Sequence, residues 1–352
     1  MILPIPWLKN SISWAMRVLM SMGKRIVQRR RRQAPLPIRD GLNPSRARLP
    51  DDAAPMTALA FVTGLVTTQT HRATGDDAAA IHARFAAGEV VDPQGRPLPP
   101  DRVLAPGQDV WFYRTPAPET PVPGKCRIIH HDEHLLVVHK PHFLATMPRG
   151  RHITETAVVR LRRATGNQDL TPAHRLDRLT SGILVLTCDP AVRGAYQQLF
   201  SSRGVHKTYR ATATLLPDLA DAVTRRPVTW EHRMQKARGR LQAYLEHGEP
   251  NARTTVSAVT PVNDEEQATL ESLHGPLPRQ AHYTLHPATG RTHQLRLHML
   301  TAGVPILGDP LYPDVLPEDA EDFRVPMHLT ATALEFTDPI SGQPRAFTAI
   351  RD

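Results

Sequence analysis

Apolar positions along this chain fall in short runs separated by turn residues, with irregular alternation and no internal repeat. From Ile81 onward the spacing predicts a helix ending at Gly88, then the short run Val90 and Val91. A turn at Asp92, Pro93, Gln94 and Gly95 follows, and a strand over residues 110–113 begins after Pro106 and Gly107. Further on, two apolar runs at 126–129 and 135–138, parted by 130–134, read as a hairpin closed at Lys140 and Pro141. Residues 183–186 form an uninterrupted apolar run suited to a buried strand. Asp189 and Pro190 then open a helix whose Val192, Tyr196, Leu199 and Phe200 share a face before Gly204 ends it. Residues 205–215 are again extended. Tyr283 to Leu285 lead through a turn at 287–290 into a helix over about 292–302, stopped by Gly303 and Pro305. Such a succession predicts an α+β fold: a mixed, mainly antiparallel sheet with helices packed on it.

Composition divides the chain further. At 352 residues and 40% hydrophobic content it can bury a large core and a small one besides. Residues 1–49 read as a basic, disordered tail and a linker rich in Pro and Arg, 50–115 as a small module, 116–124 as a stiff Pro-rich linker, and 125–352 as the main domain. The net charge of +9 is mostly tail: Lys9, Arg17, Lys24, Arg25 and Arg29 to Arg32 are the only charged residues of the first 33, so one positive charge remains for the rest. Bulk charge therefore argues little for a nucleic-acid partner. Local runs argue more, such as Arg160, Arg162, Arg163, Arg175 and Arg178, or Arg233, Lys236, Arg238 and Arg240, although each also describes a solvated face.

The tail is open to an organellar presequence, an RNA-gripping arm, or a start at Met20 or Met22. Lys9 and Arg17 interrupt its apolar residues too early for a membrane span. Cys126 and Cys188 are the only cysteines and lie far apart, which fits a reducing cytoplasm and neither a disulfide scaffold nor a zinc site. His130, His131, His134, His139 and His142 lack metal-ligand spacing, and no glycine-rich phosphate loop or dinucleotide fingerprint occurs. No metal and no cofactor is expected.

Three constellations carry candidate chemistry. His174-Arg175-Leu176-Asp177-Arg178-Leu179-Thr180-Ser181-Gly182 sets a carboxylate between two arginines at the mouth of the buried strand, where guanidinium groups favour its charged form. A surface ion-pair cluster is the plainer alternative. Gly290-Arg291-Thr292-His293-Gln294-Leu295-Arg296-Leu297-His298 puts an arginine at a helix start, where the dipole disfavours it and an outward anion would suit it. Lys207 and Tyr209 lie two apart on a strand and so share a side; cation plus aromatic suits stacking on a nucleobase, while core packing is the commoner fate of such a tyrosine.

In this order and spacing, these motifs resemble the RluA-type RNA pseudouridine synthases. The likeness runs from about residue 125 to the C-terminus and includes the stretch from Asp132 to Pro141 and Gly308-Asp309-Pro310-Leu311-Tyr312. It implies the pseudouridine-synthase fold, an isomerase without cofactor, RNA (rRNA or tRNA) as partner, and a monomer. It also implies Asp177 as catalytic aspartate, Tyr209 against the target uracil, Arg291 paired with Asp177, and Arg175 filling the space of an extruded nucleotide. His174, Lys207 and Arg296 join them as substrate contacts. Leu179, Pro313 and Thr330 depart from the family's usual Glu, Gly and His. The small module resembles an S4-type RNA-binding fold, although Asp76 and Asp77 stand near where such modules carry basic residues. The acidic stretch Asp314, Glu318, Asp319, Glu321 and Asp322 reads as a solvated loop that avoids RNA. A non-catalytic RNA-binding or ribosome-assembly factor, and an N-glycosidase releasing uracil, are the competing readings.

Overall fold

The computed structural model describes residues 34–317 and 320–350. The basic tail, with Met20 and Met22, lies outside the described residues, as do Glu318 and Asp319 of the acidic stretch. Two compact units emerge: residues 34–37, 44–68 and 76–114 form one, and 38–43, 69–75 and 115–350 the other.

The smaller unit contains β1 (Ser45–Arg48), β2 (Met56–Thr57), α1 (Ala58–Thr67), α2 (Ala78–Ala86), β3 (Val90–Val91), β4 (Val103–Leu104) and β5 (Asp109–Phe112). Thr57 and Asp77 cap the two helices by accepting the Ala60 and Ala80 amides. Phe61, Val62, Val66, Ile81, Phe85 and Phe112 close its core. The linker expected over 34–49 is not one throughout: residues 45–48 pair antiparallel with β5, and Leu49 is buried. Ser-Arg-Ala-Arg has almost no apolar character, so its pairing partner, and not its own pattern, makes it a strand.

The larger unit opens with the expected hairpin, β6 (Arg127–His131) and β7 (Leu135–Lys140), followed by α3 (Ala157–Thr165), β8 (Thr171–Pro172) and β9 (Ser181–Thr187). Then come α4 (Arg193–Ser201), β10 (Val205–Thr214), α5 (Pro217–Arg225), β11 (Val228–Gln235), β12 (Tyr244–Glu246) and β13 (Ala252–Pro261). It ends with α6 (Asp264–His274), β14 (Gln280–Pro287), α7 (Gln294–Thr301), β15 (Leu329–Thr337) and β16 (Pro344–Thr348). Nine strands run β12-β11-β13-β14-β10-β15-β9-β7-β6, with β16 added to β15 and β8 to β9. Strands β7 and β9 are buried along their whole length. Leu136, Val138, Leu184 and Leu186 face α3, and Leu135, Val137, Ile183 and Val185 face Tyr196 of α4, which explains their continuous apolar sequence.

One strand pair among the described residues is parallel. Thr330 and Ala331 of β15 lie beside Ser181 and Gly182 of β9. Gly182 sits at φ 105°, and a Cβ there would stand 2.2 Å from the Ala331 carbonyl oxygen. Glycine is thus required for β9 to enter the sheet so close to β15, and this entry fixes where the loop carrying Asp177 leaves it.

Candidate active site

Asp177 lies in the loop between β8 and β9, and that loop is tied down by the chain just beyond β7. Thr146 Oγ1 accepts the Leu176 amide (3.2 Å) and donates to the Leu176 carbonyl (2.8 Å). His142 Nδ1 bonds the Leu179 carbonyl at 2.8 Å. Lys140, fully buried, donates to the carbonyls of Pro141 (2.9 Å), Leu144 (2.8 Å) and Arg178 (3.1 Å). Burial pushes its pKa down to about 7, while the charge of Asp177 pulls the other way. The backbone around Asp177 is therefore fixed by residues 140–146, leaving its side chain 32% exposed. Sequence reading assigned no role to Lys140, His142 or Thr146. Only the position of Lys140 within the stretch from Asp132 to Pro141 hinted at one.

The guanidinium beside Asp177 belongs to Arg296. Its Nη1 stands 4.0 Å from Asp177 Oδ2, and its Nε and Nη2 form a fork on Asp309 at 2.7 and 2.5 Å. Burial works against this charge, yet the hydrogen bonds and charge of Asp309, with Asp177 and Tyr312, more than offset it and hold Arg296 above its ordinary pKa. Its Cζ also lies 5.2 Å from the Tyr312 ring centroid.

The pairing expected for Arg291 is thereby corrected. Arg291 is exposed, and its Nε donates to the Asn251 carbonyl at 3.1 Å. The cause is local. His293 adopts a left-handed conformation (φ 58°) as N-cap, so α7 starts at Gln294, two residues later than its sequence pattern suggests. Arg291 is left in the preceding turn, and Arg296 points inward from the first turn.

Around Asp177 the structure brings together all six of the expected substrate-contact residues. His174, Arg175, Lys207, Tyr209, Arg291, His293 and Arg296 line one groove of about 390 Å³ with Asp177. Tyr209 is half-buried, and burial first, then the charge of Asp177, raises its phenol above the usual value. Lys207 is lowered by burial and by Arg203. His174 serves the wall more than the opening: its ring stacks on Phe200 at 4.4 Å, and its Nε2 accepts the Val185 amide at 3.2 Å. Burial, then Lys207, lowers its pKa to about 3, consistent with a neutral ring that can accept. His293, Asp309 and Tyr312 stand within motifs quoted from the sequence, but no individual role was expected of them. His293 Nδ1 meets the Tyr312 hydroxyl at 3.0 Å, and that hydroxyl accepts the Ala243 amide at 2.7 Å.

Of the three departures from family pattern, Leu179 is buried and Thr330 Oγ1 bonds Ser181 Oγ at 2.8 Å. Among the described residues, no three His, Cys, Asp or Glu side chains gather as a metal site, and no helix is long and apolar enough to cross a membrane.

The family described as RNA pseudouridylate synthase matches residues 134–301. The dual-specificity RNA pseudouridine synthase RluA of Haemophilus influenzae is 32% identical over 229 residues, covering 64% of this chain and 93% of that protein. Its counterpart in Escherichia coli K12 is 31% identical over 228 residues, again 64% and 93%. Among solved structures, human RNA pseudouridylate synthase domain containing 1 superposes with a TM-score of 0.50 at 23% identity, over 65% of this chain and 86% of that one, a likeness of fold. Similarity spanning nearly the whole length of such relatives establishes that this chain belongs to the RluA-type family of RNA pseudouridine synthases, which are isomerases.

Proposed function

We propose that the protein isomerises particular uridines of ribosomal or transfer RNA to pseudouridine, with Asp177 as the essential carboxylate. The observation that carries this reading is the Asp177 carboxylate 4.0 Å from a guanidinium that Asp309 immobilises, in a groove that also presents Tyr209. The relatives named above are dual-specificity enzymes, which favours more than one RNA as substrate.

The reaction breaks the bond from C1′ to N1, turns the freed base, and joins C1′ to C5; N1 gains a proton and C5 loses one, so composition is unchanged. A carboxylate can serve by adding to the sugar or base, or by removing a sugar proton. Arg296 contributes a fixed positive charge whose orientation does not depend on substrate, the kind of preorganised electrostatics that favours charge developing beside it. A stacked uridine cannot reach Asp177, so it must flip out at a cost of a few kcal/mol, offset by stacking on Tyr209 and by phosphate contacts from Lys207 and Arg175. Arg175 is exposed at the groove rim, where it can fill the vacated stack.

The test uses RNA carrying tritium at uridine C5. Wild-type protein should release tritium to water without releasing uracil, whereas Asp177→Asn should release none yet bind RNA within about tenfold of wild type. Turnover by that variant would sink the assignment, and free uracil from the wild type would mean a glycosidase.

A further inference from the structure

Arg178, next to Asp177, is not presented to solvent as a bare cation. Its Nη2 forms an ion pair with Glu321, its Nη1 lies 3.4 Å from the Phe143 carbonyl, and both charged side chains are about four-fifths covered. Glu321 comes from the connection between α7 and β15, the same acidic stretch expected to be solvated. Phe323, two residues on, packs edge-on against Phe143 with ring centroids 5.1 Å apart and joins the main core. Phe143 thus contacts both Arg178 and the segment that delivers Glu321, so the carboxylate is seated on this arginine from two directions. Its neighbour Asp322 is engaged elsewhere, with Arg324 at 2.6 Å.

The remaining cations of the site give the contrast. Among the described residues, Arg175, Lys207 and Arg291 make no ion pair with a carboxylate, and Arg296 is committed to Asp309. Arg178 alone of the arginines flanking Asp177 is covered by a carboxylate on a separate chain segment. A carboxylate and a phosphate oxygen present similar acceptors to a guanidinium, and either can take its fork. A site meant for a polyanion gains nothing in affinity from such a glutamate.

We propose that Arg178 is a binding residue for a backbone phosphate of the RNA beside the target nucleotide, and that Glu321 occupies it in the free protein as a competitor. This rests on the reading of the groove as an RNA site, with the bound backbone continuing past Asp177 to Arg178, which borders the adjoining larger cavity. Binding then exchanges one anion for another on Arg178, and the apparent affinity falls by the fraction of molecules in which Glu321 is in place. An RNA whose backbone does not reach Arg178 leaves the pair intact and gains nothing from that guanidinium.

The experiment measures RNA binding in the full chain carrying Asp177→Asn, so that no turnover intervenes, and compares Glu321→Gln with Asp314→Asn. Asp314 removes the same charge from the same segment and makes no ion pair among the described residues. Glu321→Gln should tighten binding roughly three- to tenfold, as expected for a partly covered ion pair, and clearly more than Asp314→Asn. With Arg178→Gln already in place, binding should be weaker and Glu321→Gln should add no more than Asp314→Asn does. Equal effects of the two neutralisations in the Arg178 background of the wild type, or weaker binding by Glu321→Gln, would overturn the proposal. A protein that binds RNA and responds as described but releases no C5 tritium in its Asp177 form would instead count against the isomerase reading alone.

Discussion

Two cavities meet at Asp177, and they differ more in lining than in reach. The groove of about 390 Å³ has His174, Arg175, Lys207, Tyr209 and Arg291 on its walls. The other, about 760 Å³, is walled by Phe143, Leu179, Leu307, Leu311 and Met327 and bordered by Arg151, Glu321, Asp322 and the Arg178 that Glu321 holds. Asp177, His293 and Arg296 belong to both. Size alone would favour the larger space as the binding site, since ligand sites are usually roomy and apolar. A polyanionic substrate reverses that preference, because its affinity comes from cations and its selectivity from stacking and base edges. The groove has both; the larger cavity is mainly apolar, and at its border the Arg178 guanidinium is already held by Glu321.

The severest way to break this comparison is to remove what both spaces share. Arg296→Met should lower tritium release by about a hundred- to a thousandfold, as loss of a preorganised charge does. It should also cost about 3–5 kcal/mol of stability, because Asp309 is left buried without its partner. Adding Asp309→Asn should recover much of the melting temperature and none of the activity. A single variant that keeps its activity would show that Asp177 needs no fixed guanidinium.

A smaller effect separates the groove from the cavity. Lys207→Gln should raise KM about five- to twentyfold with little change in kcat, and should lower the slope of log affinity against log salt by about 0.7, the value for one lost contact to a single strand. Glu321→Gln, on the other side of Asp177, acts with opposite sign. Should Lys207→Gln leave the salt slope unchanged, the backbone would not run along the groove.

How much of this was legible in sequence follows from what each residue depends on. Lys207 and Tyr209 converge as expected on one strand, although a bulge between Thr208 and Tyr209 shifts its register with β15, and Asp177 joins them from the loop that Lys140, His142 and Thr146 fix. The exchange of Arg291 for Arg296 could not be read, because the helix start hinges on one left-handed residue, His293, that no periodicity reveals. Lys140 looked like a hairpin end; its function as a triple donor depends on carbonyls from two other segments. Strand β11 escaped notice because it mixes exposed polar with half-buried residues, β13 because two of its three buried positions are the small or polar Ala252 and Thr254, and β1 because only its partner is apolar. In the smaller unit Arg46, Arg48, Arg84 and Arg96 are each held by an aspartate, which leaves the expected S4-like RNA contact as a proposal without free cations to support it from these four.

The smallest expected effect concerns protons. Burial lowers His174 and His328 to about 3 and His293 and His298 to about 4, so the folded protein keeps them neutral where an unfolded chain, near 6.5, takes up protons. Between about pH 6.5 and 4 the unfolded state therefore binds more protons, and stability falls as pH falls through that window. The lowered carboxylates, Asp132 and Asp338, add their own losses only below the ordinary carboxylate range near 4. Melting temperatures from pH 7.5 to 5 should decline by a few degrees, and the part below about pH 6, where Lys140 with its pKa of about 7 is already charged, isolates the histidines. His298→Asn should flatten it in part, since His298 is fully buried and touches neither cavity while its Nδ1 contact to Thr254 at 2.8 Å can be kept by an amide. His174 and His293 line the groove, so their protonation would also add positive charge beside Asp177. If acidification from pH 6.5 to 5 left the melting temperature unchanged, these rings would have to accept protons within the fold, and His174 could no longer receive the Val185 amide that anchors the groove wall.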